Sequence, residues 1–132
     1  MAIAAEKAGA DALTVGNTVL GLAVNWRTRK PELGVGYGGF SGPAIRPIAM
    51  RMVWETSQAV DIPVIGCGGI SSAEDVLSFL VAGASSVQLG TAFFRNPSLF
   101  GEVSRQLTLL LEQEGASVSE LSRSLEWPSS CS

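Results

Sequence analysis

The sequence predicts an α/β fold in which short parallel strands alternate with helices. Residues 8–18 and 82–92 share one order of features: a helix end, an Ala-Gly-Ala turn, an apolar strand, a glycine and a polar residue. Such an echo is typical of successive βα units in a parallel sheet. The strands are short and apolar without alternation, as expected when both faces are covered.

The number of these units indicates a larger architecture. Three βα units fill the 132 residues, whereas a (βα)₈ barrel needs about 250. A doubly wound sheet of this length would normally have about five strands. We therefore expect the C-terminal portion of a (βα)₈ TIM barrel, about strands 6–8 with their helices, in a domain of residues 1–127, followed by a loose tail of residues 128–132.

The first elements are a helix end over residues 2–8, stopped at Gly9, and a strand over Asp11–Val15. A long connection over residues 19–40 follows, and loops of that length are usually functional or mobile. Within it, Leu20–Trp26 and Glu32–Tyr37 could form a small hairpin.

Helical spacing of apolar residues from Ile45 to Val60 predicts the next helix, which tolerates Pro47 only in its first turn. Pro63 ends that helix, because a proline disfavours helical backbone at the residue before it. The second strand is Val64–Gly66. Ser71 and Glu74 then form an expected capping box for a helix that ends at Gly83.

The third strand is expected at Ser86–Leu89. Asn96 as N-cap and Pro97 at the first helical position predict a long helix that Gly115 ends. Its inner face is expected at the apolar residues Leu99, Phe100, Val103, Leu107, Leu110 and Leu111. A second capping box at Ser117 and Glu120 begins a short final helix.

Composition and charge exclude several classes of function. The net charge of −3 gives no basic footprint for nucleic acid, and no apolar run is long enough to span a bilayer. The sequence has no histidine, which excludes histidine acid–base chemistry and histidine metal sites. Cys67 and Cys131 have no pairing or metal-ligand spacing, which favours a reducing, cytoplasmic location.

Two strand ends carry the pattern of a phosphate site. Gly68-Gly69 follows the second strand, next to a helix start, and Gly90-Thr91 follows the third. Glycines at such points leave backbone N–H groups accessible to an anion, and barrels often bind phosphate after their last two strands. The simpler alternative is that these glycines only make tight turns.

Two further loops could face the same rim. Asn17-Thr18 follows the first strand and offers an amide and a hydroxyl to a polar planar ligand; by itself, a side-chain-bonded turn explains the pair equally well. Ser41-Gly42-Pro43 could bring backbone close to a ligand or only cap the following helix.

The motifs taken together resemble a known family. Asn17-Thr18-Val19-Leu20-Gly21, the loop and helix start from Gly38 to Ile48, the strand and loop from Ile62 to Ile70, and Gly90-Thr91-Ala92 stand in the order and spacing of dihydroorotate dehydrogenase. The resemblance runs to about Trp127 and is closest to the class 1B catalytic subunit, because Asn-Thr rather than Asn-Ser follows the first strand.

The resemblance implies a barrel that holds FMN and oxidises dihydroorotate to orotate in pyrimidine biosynthesis. By position, Asn17 and Thr18 match the pair that binds the pyrimidine. Gly16 and Gly42 match backbone contacts to the flavin, and Gly68, Gly69, Gly90 and Thr91 match the FMN phosphate cradle. Class 1B also implies a partner subunit with FAD and an iron–sulfur cluster.

The resemblance also implies what this chain lacks. The catalytic cysteine of the family stands on an earlier loop, and Cys67 does not occupy its position, so we expect no catalytic residue here and no turnover by the chain alone. Two alternatives remain open: another phosphate-binding barrel enzyme, such as an isomerase or lyase, or a non-catalytic half-barrel that self-associates through exposed strand edges.

Overall fold

A computed structural model describes residues 1–128. Its strands are β1 (Leu13–Val15), β2 (Val19–Gly21), β3 (Val24–Asn25), β4 (Lys30–Pro31), β5 (Gly38–Phe40), β6 (Val64–Cys67) and β7 (Ser86–Gln88). Its helices are α1 (Ala2–Lys7), α2 (Arg46–Ala59), α3 (Ala73–Val81), α4 (Thr91–Arg95), α5 (Leu99–Glu114) and α6 (Val118–Leu121), with a 3₁₀ turn at Pro43–Ile45.

The central sheet has three strands in the order β1-β6-β7, and both pairings are parallel. Leu13 is the partner of Val64, and Ile65 is the partner of Ser86. The predicted α/β fold with parallel strands is therefore confirmed. The register brings the carboxyl ends of all three strands to one edge of the sheet.

One face of the sheet carries the core. Val64 and Phe79 are fully buried there, and α2, α3 and α5 supply most of the remaining core residues. The opposite face carries Thr14, Ser86 and Gln88, which are exposed. Covering of both faces, expected from the apolar strands, is thus seen on one face only within residues 1–128.

Several predicted helix ends are confirmed. Pro47 lies in the first turn of α2, and Val60 is extended directly after it. Gly115 ends α5 with left-handed backbone. Ser117 and Glu120 form the expected capping box at α6.

The start of α3 differs from the prediction by one residue. Ser72, not Ser71, is the N-cap, and its Oγ accepts a hydrogen bond from the Asp75 N–H at 3.2 Å. Ser71 instead donates its N–H and Oγ–H to the Asp75 carboxylate at 2.8 and 3.0 Å. The predicted pair Ser71–Glu74 was wrong because Asp75 is drawn inward by a tertiary contact with Arg46.

The start of α5 also differs. The helix begins at Leu99, and Asn96 accepts hydrogen bonds from the N–H and Oγ–H of Ser98 through its Oδ1. The short helix α4 before it was not predicted. On the expected inner face, Leu99 and Val103 are buried, whereas Phe100 is exposed because it points away from α3 and the sheet.

The long connection folds as two nested antiparallel pairs. β2 pairs with β5, and β3 pairs with β4 inside them. The predicted hairpin between Leu20–Trp26 and Glu32–Tyr37 was wrong in its partners. β2 and β5 contain glycines and none of the four strands has a buried residue, so the hydrophobic pattern specifies their register only weakly.

The segment after α6 docks on the helical layer. The N–H groups of Arg123 and Leu125 donate to the carbonyls of Leu80 and Val81. The ring of Trp127 stacks on that of Trp54 at a centroid distance of 4.3 Å. Of the predicted loose tail, residues 129–132, with Cys131, lie outside the described residues. No helix within residues 1–128 has the length and apolarity needed to cross a membrane.

Candidate functional site

A cavity of about 470 Å³ opens at the carboxyl ends of the three parallel strands. The loops after β1, β6 and β7 line it, together with the loop between β5 and α2. All eight residues predicted for the site contribute to its wall, namely Gly16, Asn17, Thr18, Gly42, Gly68, Gly69, Gly90 and Thr91. Their individual roles toward a ligand stay predictions.

Two of these glycines are required by close packing between loops. Gly16 has φ +122°, and a Cβ on it would overlap the Cys67 carbonyl. Gly69 has φ +76°, and its Cβ would lie 2.8 Å from Arg46 N and from Gly42 O. A side chain at either position would therefore push apart the loops that form the cavity.

Gly42 and Gly90, in contrast, leave backbone accessible at the cavity. A Cβ on Gly42 or on Gly90 would meet no atom within 4 Å. Within residues 1–128, the N–H groups of Gly68, Gly69 and Gly90 make no hydrogen bond to the protein. Unpaired N–H groups that face a cavity at a strand end are suitable donors for an anion.

The Thr91 hydroxyl connects two of the loops. Its Oγ1 donates to Ser41 Oγ at 3.0 Å. Thr91 is the first residue of α4, so its own N–H has no partner in the preceding turn of that helix. The hydroxyl and the N–H therefore both lie at the part of the wall where Gly90 is open.

Asn17 and Thr18 stand at the outer side of the cavity and are exposed. Asn17 Oδ1 accepts the Thr18 N–H at 2.8 Å, which is the local turn that the sequence left open as an alternative. Because this bond uses only the oxygen, the Asn17 Nδ2 keeps both of its donor protons for another partner. A Cβ on Gly39 would lie 2.5 Å from Thr18 Oγ1, so Gly39 makes room for this hydroxyl.

Arg95 is a site residue that the sequence analysis missed. It is the one charged side chain among the described residues that line the cavity, and no ion pair involves it within residues 1–128. It stands four residues after Thr91, so both fall on one face of α4. Recognition of α4 from the sequence would have shown that Thr91 and Arg95 lie on one face of this helix.

Titratable groups that could act as a base are scarce in the wall. Cys67, half-buried, is the only lining residue with an acidic side-chain proton in the described part of the chain. Behind the wall, hydrogen bonds from Ser98 and Asn96 lower the pKa of Glu102. No cluster of histidine, cysteine, aspartate or glutamate in residues 1–128 could hold a metal ion.

The composition of the wall indicates which kind of ligand fits. Pro43, Ile45, Ile70 and Leu99 supply apolar surface. Unpaired N–H groups, the Thr91 hydroxyl and the Arg95 cation also line the cavity, and among the described residues no carboxylate does. A molecule with an extended ring surface and one anionic group matches this arrangement.

Comparison with known proteins gives consistent results. The family described as "Dihydroorotate dehydrogenase" matches residues 1–111. The catalytic subunit of dihydroorotate dehydrogenase B (NAD(+)) from Pelobacter propionicus is 52% identical over 127 residues, which is 96% of this chain and 42% of that protein. The corresponding subunit from a Geobacillus species is 54% identical over 87% of this chain and 37% of its own length.

A protein of Solibacter usitatus, provisionally named dihydroorotate dehydrogenase A (fumarate), is 52% identical over 87% of this chain and 38% of its length. The chain thus spans about 40% of the length of the curated relatives it matches. The similarity extends over all four loops that line the cavity.

Proposed function

Because the chain belongs to the dihydroorotate dehydrogenase family, we propose that it forms the FMN- and pyrimidine-binding part of an enzyme that oxidises dihydroorotate to orotate in pyrimidine biosynthesis. The observation that carries the proposal is the convergence of all eight predicted residues on one cavity.

The proposed FMN phosphate site consists of Gly68, Gly69, Gly90 and Thr91. Their N–H groups would hydrogen-bond the phosphate oxygens, and the Thr91 hydroxyl would do so by turning its proton away from Ser41 Oγ. Arg95 would add a positive charge. The backbone of Gly16 and Gly42 is proposed to contact the flavin ring. When bound, FMN would supply the hydride acceptor, and the residues of this chain would bind it, orient it and exclude water.

Asn17 and Thr18 form the proposed pyrimidine site. The two free Asn17 N–H donors and the Thr18 hydroxyl face a ring whose carbonyl and carboxylate oxygens accept hydrogen bonds. The Asn17–Thr18 hydrogen bond limits the rotation of the amide, which fixes the direction of those donors before the substrate arrives.

We also propose that residues 1–127 are the C-terminal portion of the barrel. Three features support this position. The strand order β1-β6-β7 leaves β1 and β7 each with one unpaired edge in the described residues. One sheet face is exposed, and phosphate sites of barrels commonly follow the last two strands. In a complete barrel, Thr14, Ile65 and Gln88 would face the interior.

The chain alone is proposed to bind ligands without turning over. No described lining residue other than Cys67 could take a proton from the substrate, and the wall around Cys67 contains no histidine partner. Steady-state reduction of a dye by dihydroorotate, with the purified chain and FMN, tests this; turnover well above that of free FMN would contradict it.

A partner subunit with FAD and an iron–sulfur cluster is proposed on the strength of the B-type relatives, as is a cytoplasmic location. The unpaired edges of β1 and β7 also favour association between copies of the chain or with a second part of the barrel. Sedimentation distinguishes these arrangements, and a monodisperse monomer would argue against self-association.

Quenching of FMN fluorescence tests the proposed site directly. Thr91→Glu places a carboxylate where the phosphate is expected, and like-charge repulsion should weaken FMN binding by about 10-fold or more. Thr108→Glu is the matched control, because Thr108 is an exposed threonine on α5 outside the cavity. Equal affinities for the two variants would overturn the assignment of the phosphate site.

A further inference from the structure

A buried carboxylate lies behind the glycine loops of the cavity. Asp75, on the first turn of α3, is only 6% exposed. Its Oδ2 accepts the N–H and Oγ–H of Ser71, and its Oδ1 pairs with the Arg46 guanidinium. Neither Arg46 nor Asp75 lines the cavity, whereas Ser71 does.

Arg46 approaches the same loop from the other side. It is the first residue of α2, directly after the 3₁₀ turn. Gly69 packs so closely on its backbone that a Cβ there would lie 2.8 Å from Arg46 N and Arg46 Cβ. The loop over residues 68–71 is thus held between the start of α2 and the start of α3.

The loop before α2 is fixed by the same contacts. Gly42 O lies 2.8 Å from the position of a Gly69 Cβ, and it accepts the Ile45 N–H at 3.1 Å. Ser41, one residue earlier, binds the Thr91 hydroxyl. A shift of either helix start would therefore reach three of the loops that line the cavity, two of which carry the proposed phosphate donors.

We propose that Arg46 and Asp75 are positioning residues that keep the β5–α2 and β6–α3 loops in the geometry that binds the FMN phosphate. The inference rests on the proposed function for its ligand, although the coupling of the loops is a property of the protein alone. The ion pair acts because a buried carboxylate has one well-defined position once Arg46 and Ser71 fill three of its four hydrogen-bonding sites.

Each variant is best observed at the loop that it does not touch. Arg46→Gln is followed through hydrogen exchange of the Ser71 N–H, which Asp75 binds. Asp75→Asn is followed through exchange of the Ile45 N–H, which Gly42 binds. The Ser85 N–H, bonded to Val64 O at 2.7 Å within the sheet, is the internal reference.

Arg51→Gln is the matched control. Arg51 lies on the same helix and pairs with Glu55 at 3.0 Å, but both side chains are exposed. An exposed pair of this kind contributes little. Arg46→Lys, which keeps the charge and loses the fork of donors, serves as the milder variant if Arg46→Gln or Asp75→Asn does not fold.

The expected result is about 10-fold faster exchange at the distant amide, with Ser85 unchanged, and about 10-fold weaker FMN binding for Arg46→Gln. Arg46→Lys should fall between Arg46→Gln and the unchanged protein, and Arg51→Gln should match the unchanged protein in both measurements. Exchange that rises equally at Ser85, or affinities that do not differ from Arg51→Gln, would overturn the positioning role.

The two proposals fail in different ways. If the unchanged chain does not bind FMN, the proposed function fails, and the exchange data still decide whether the pair couples the loops. If FMN binds and the distant amides do not respond, the positioning role fails and the proposed function stands.

Discussion

Gly16 faces the carbonyl of Cys67 so closely that a Cβ at Gly16 would overlap the carbonyl oxygen. Gly16→Ala should destabilise the chain by about 2–4 kcal/mol, because it combines this overlap with strain at φ +122°. Urea unfolding measures the loss. Gly34→Ala is the control, since its Cβ would meet no atom within 4 Å, and a similar loss in both variants would contradict the packing of the two strand ends.

Arg95 should contribute to the affinity for a phosphate monoester through its charge. Arg95→Gln is expected to weaken FMN binding about 10-fold, or about 1.4 kcal/mol, and to reduce the salt dependence of that binding. Titration of FMN at two salt concentrations measures both. Arg105→Gln, an exposed arginine on α5 that does not line the cavity, should change neither quantity.

Phe79 fills the space between α3 and β6, where a Cβ on Gly66 would lie 2.5 Å from its ring. Phe79→Ala should cost about 3–5 kcal/mol through lost burial and the cavity left behind. Phe79→Leu is the milder variant for measurement by thermal unfolding. Phe94→Ala should stay within about 0.5 kcal/mol of the unchanged protein, because Phe94 is 87% exposed; a large loss there would reveal an unrecognised contact.

The carboxylate of Glu120 should titrate below its ordinary pKa. The hydrogen bonds from the Ser117 Oγ–H and the Ser117 N–H, each 2.7 Å long, favour the charged form and lower the pKa. A lowered folded pKa stabilises α6 above the unfolded value of about 4.3. This stabilisation is lost as the pH falls through the folded pKa.

Side-chain NMR titration tests that direction. In Ser117→Ala the midpoint for Glu120 should rise toward the ordinary value, because the first of the two donors is gone. Ser104→Ala, a serine on the exposed side of α5, should leave the midpoint unchanged. An unchanged midpoint in Ser117→Ala would show that the capping box does not form in solution.

The parts of this fold that could be predicted are those set by neighbouring residues. Glycines at the ends of β6 and β7 mark turns and open backbone by themselves, and Gly115 ends α5 by a local preference for left-handed backbone. These signals placed Gly68, Gly69, Gly90 and Thr91 on one rim before any tertiary contact was known, and the family resemblance added Gly16, Asn17, Thr18 and Gly42.

The parts that could not be predicted depend on distant contacts. Ser71 and Ser72 are both suitable N-caps, and Glu74 and Asp75 are both suitable partners, so the choice between them came from the pairing of Asp75 with Arg46. The pairing of β2 with β5 could not be predicted because these glycine-containing strands have no buried residues whose alternation would set the register. Arg95 escaped notice because its role depends on α4, a helix too short to show a period.

The stack of Trp54 on Trp127 gives the chain an optical signal of its own. Indole rings 4.3 Å apart and inclined by 12° share their electronic excitation, so circular dichroism should contain a coupled band that disappears when the segment after α6 separates from α2. The third tryptophan, Trp26, lies beside Arg27 in the long connection. A single circular dichroism spectrum can therefore report whether the segment after α6 is docked on α2, without any ligand in the cavity.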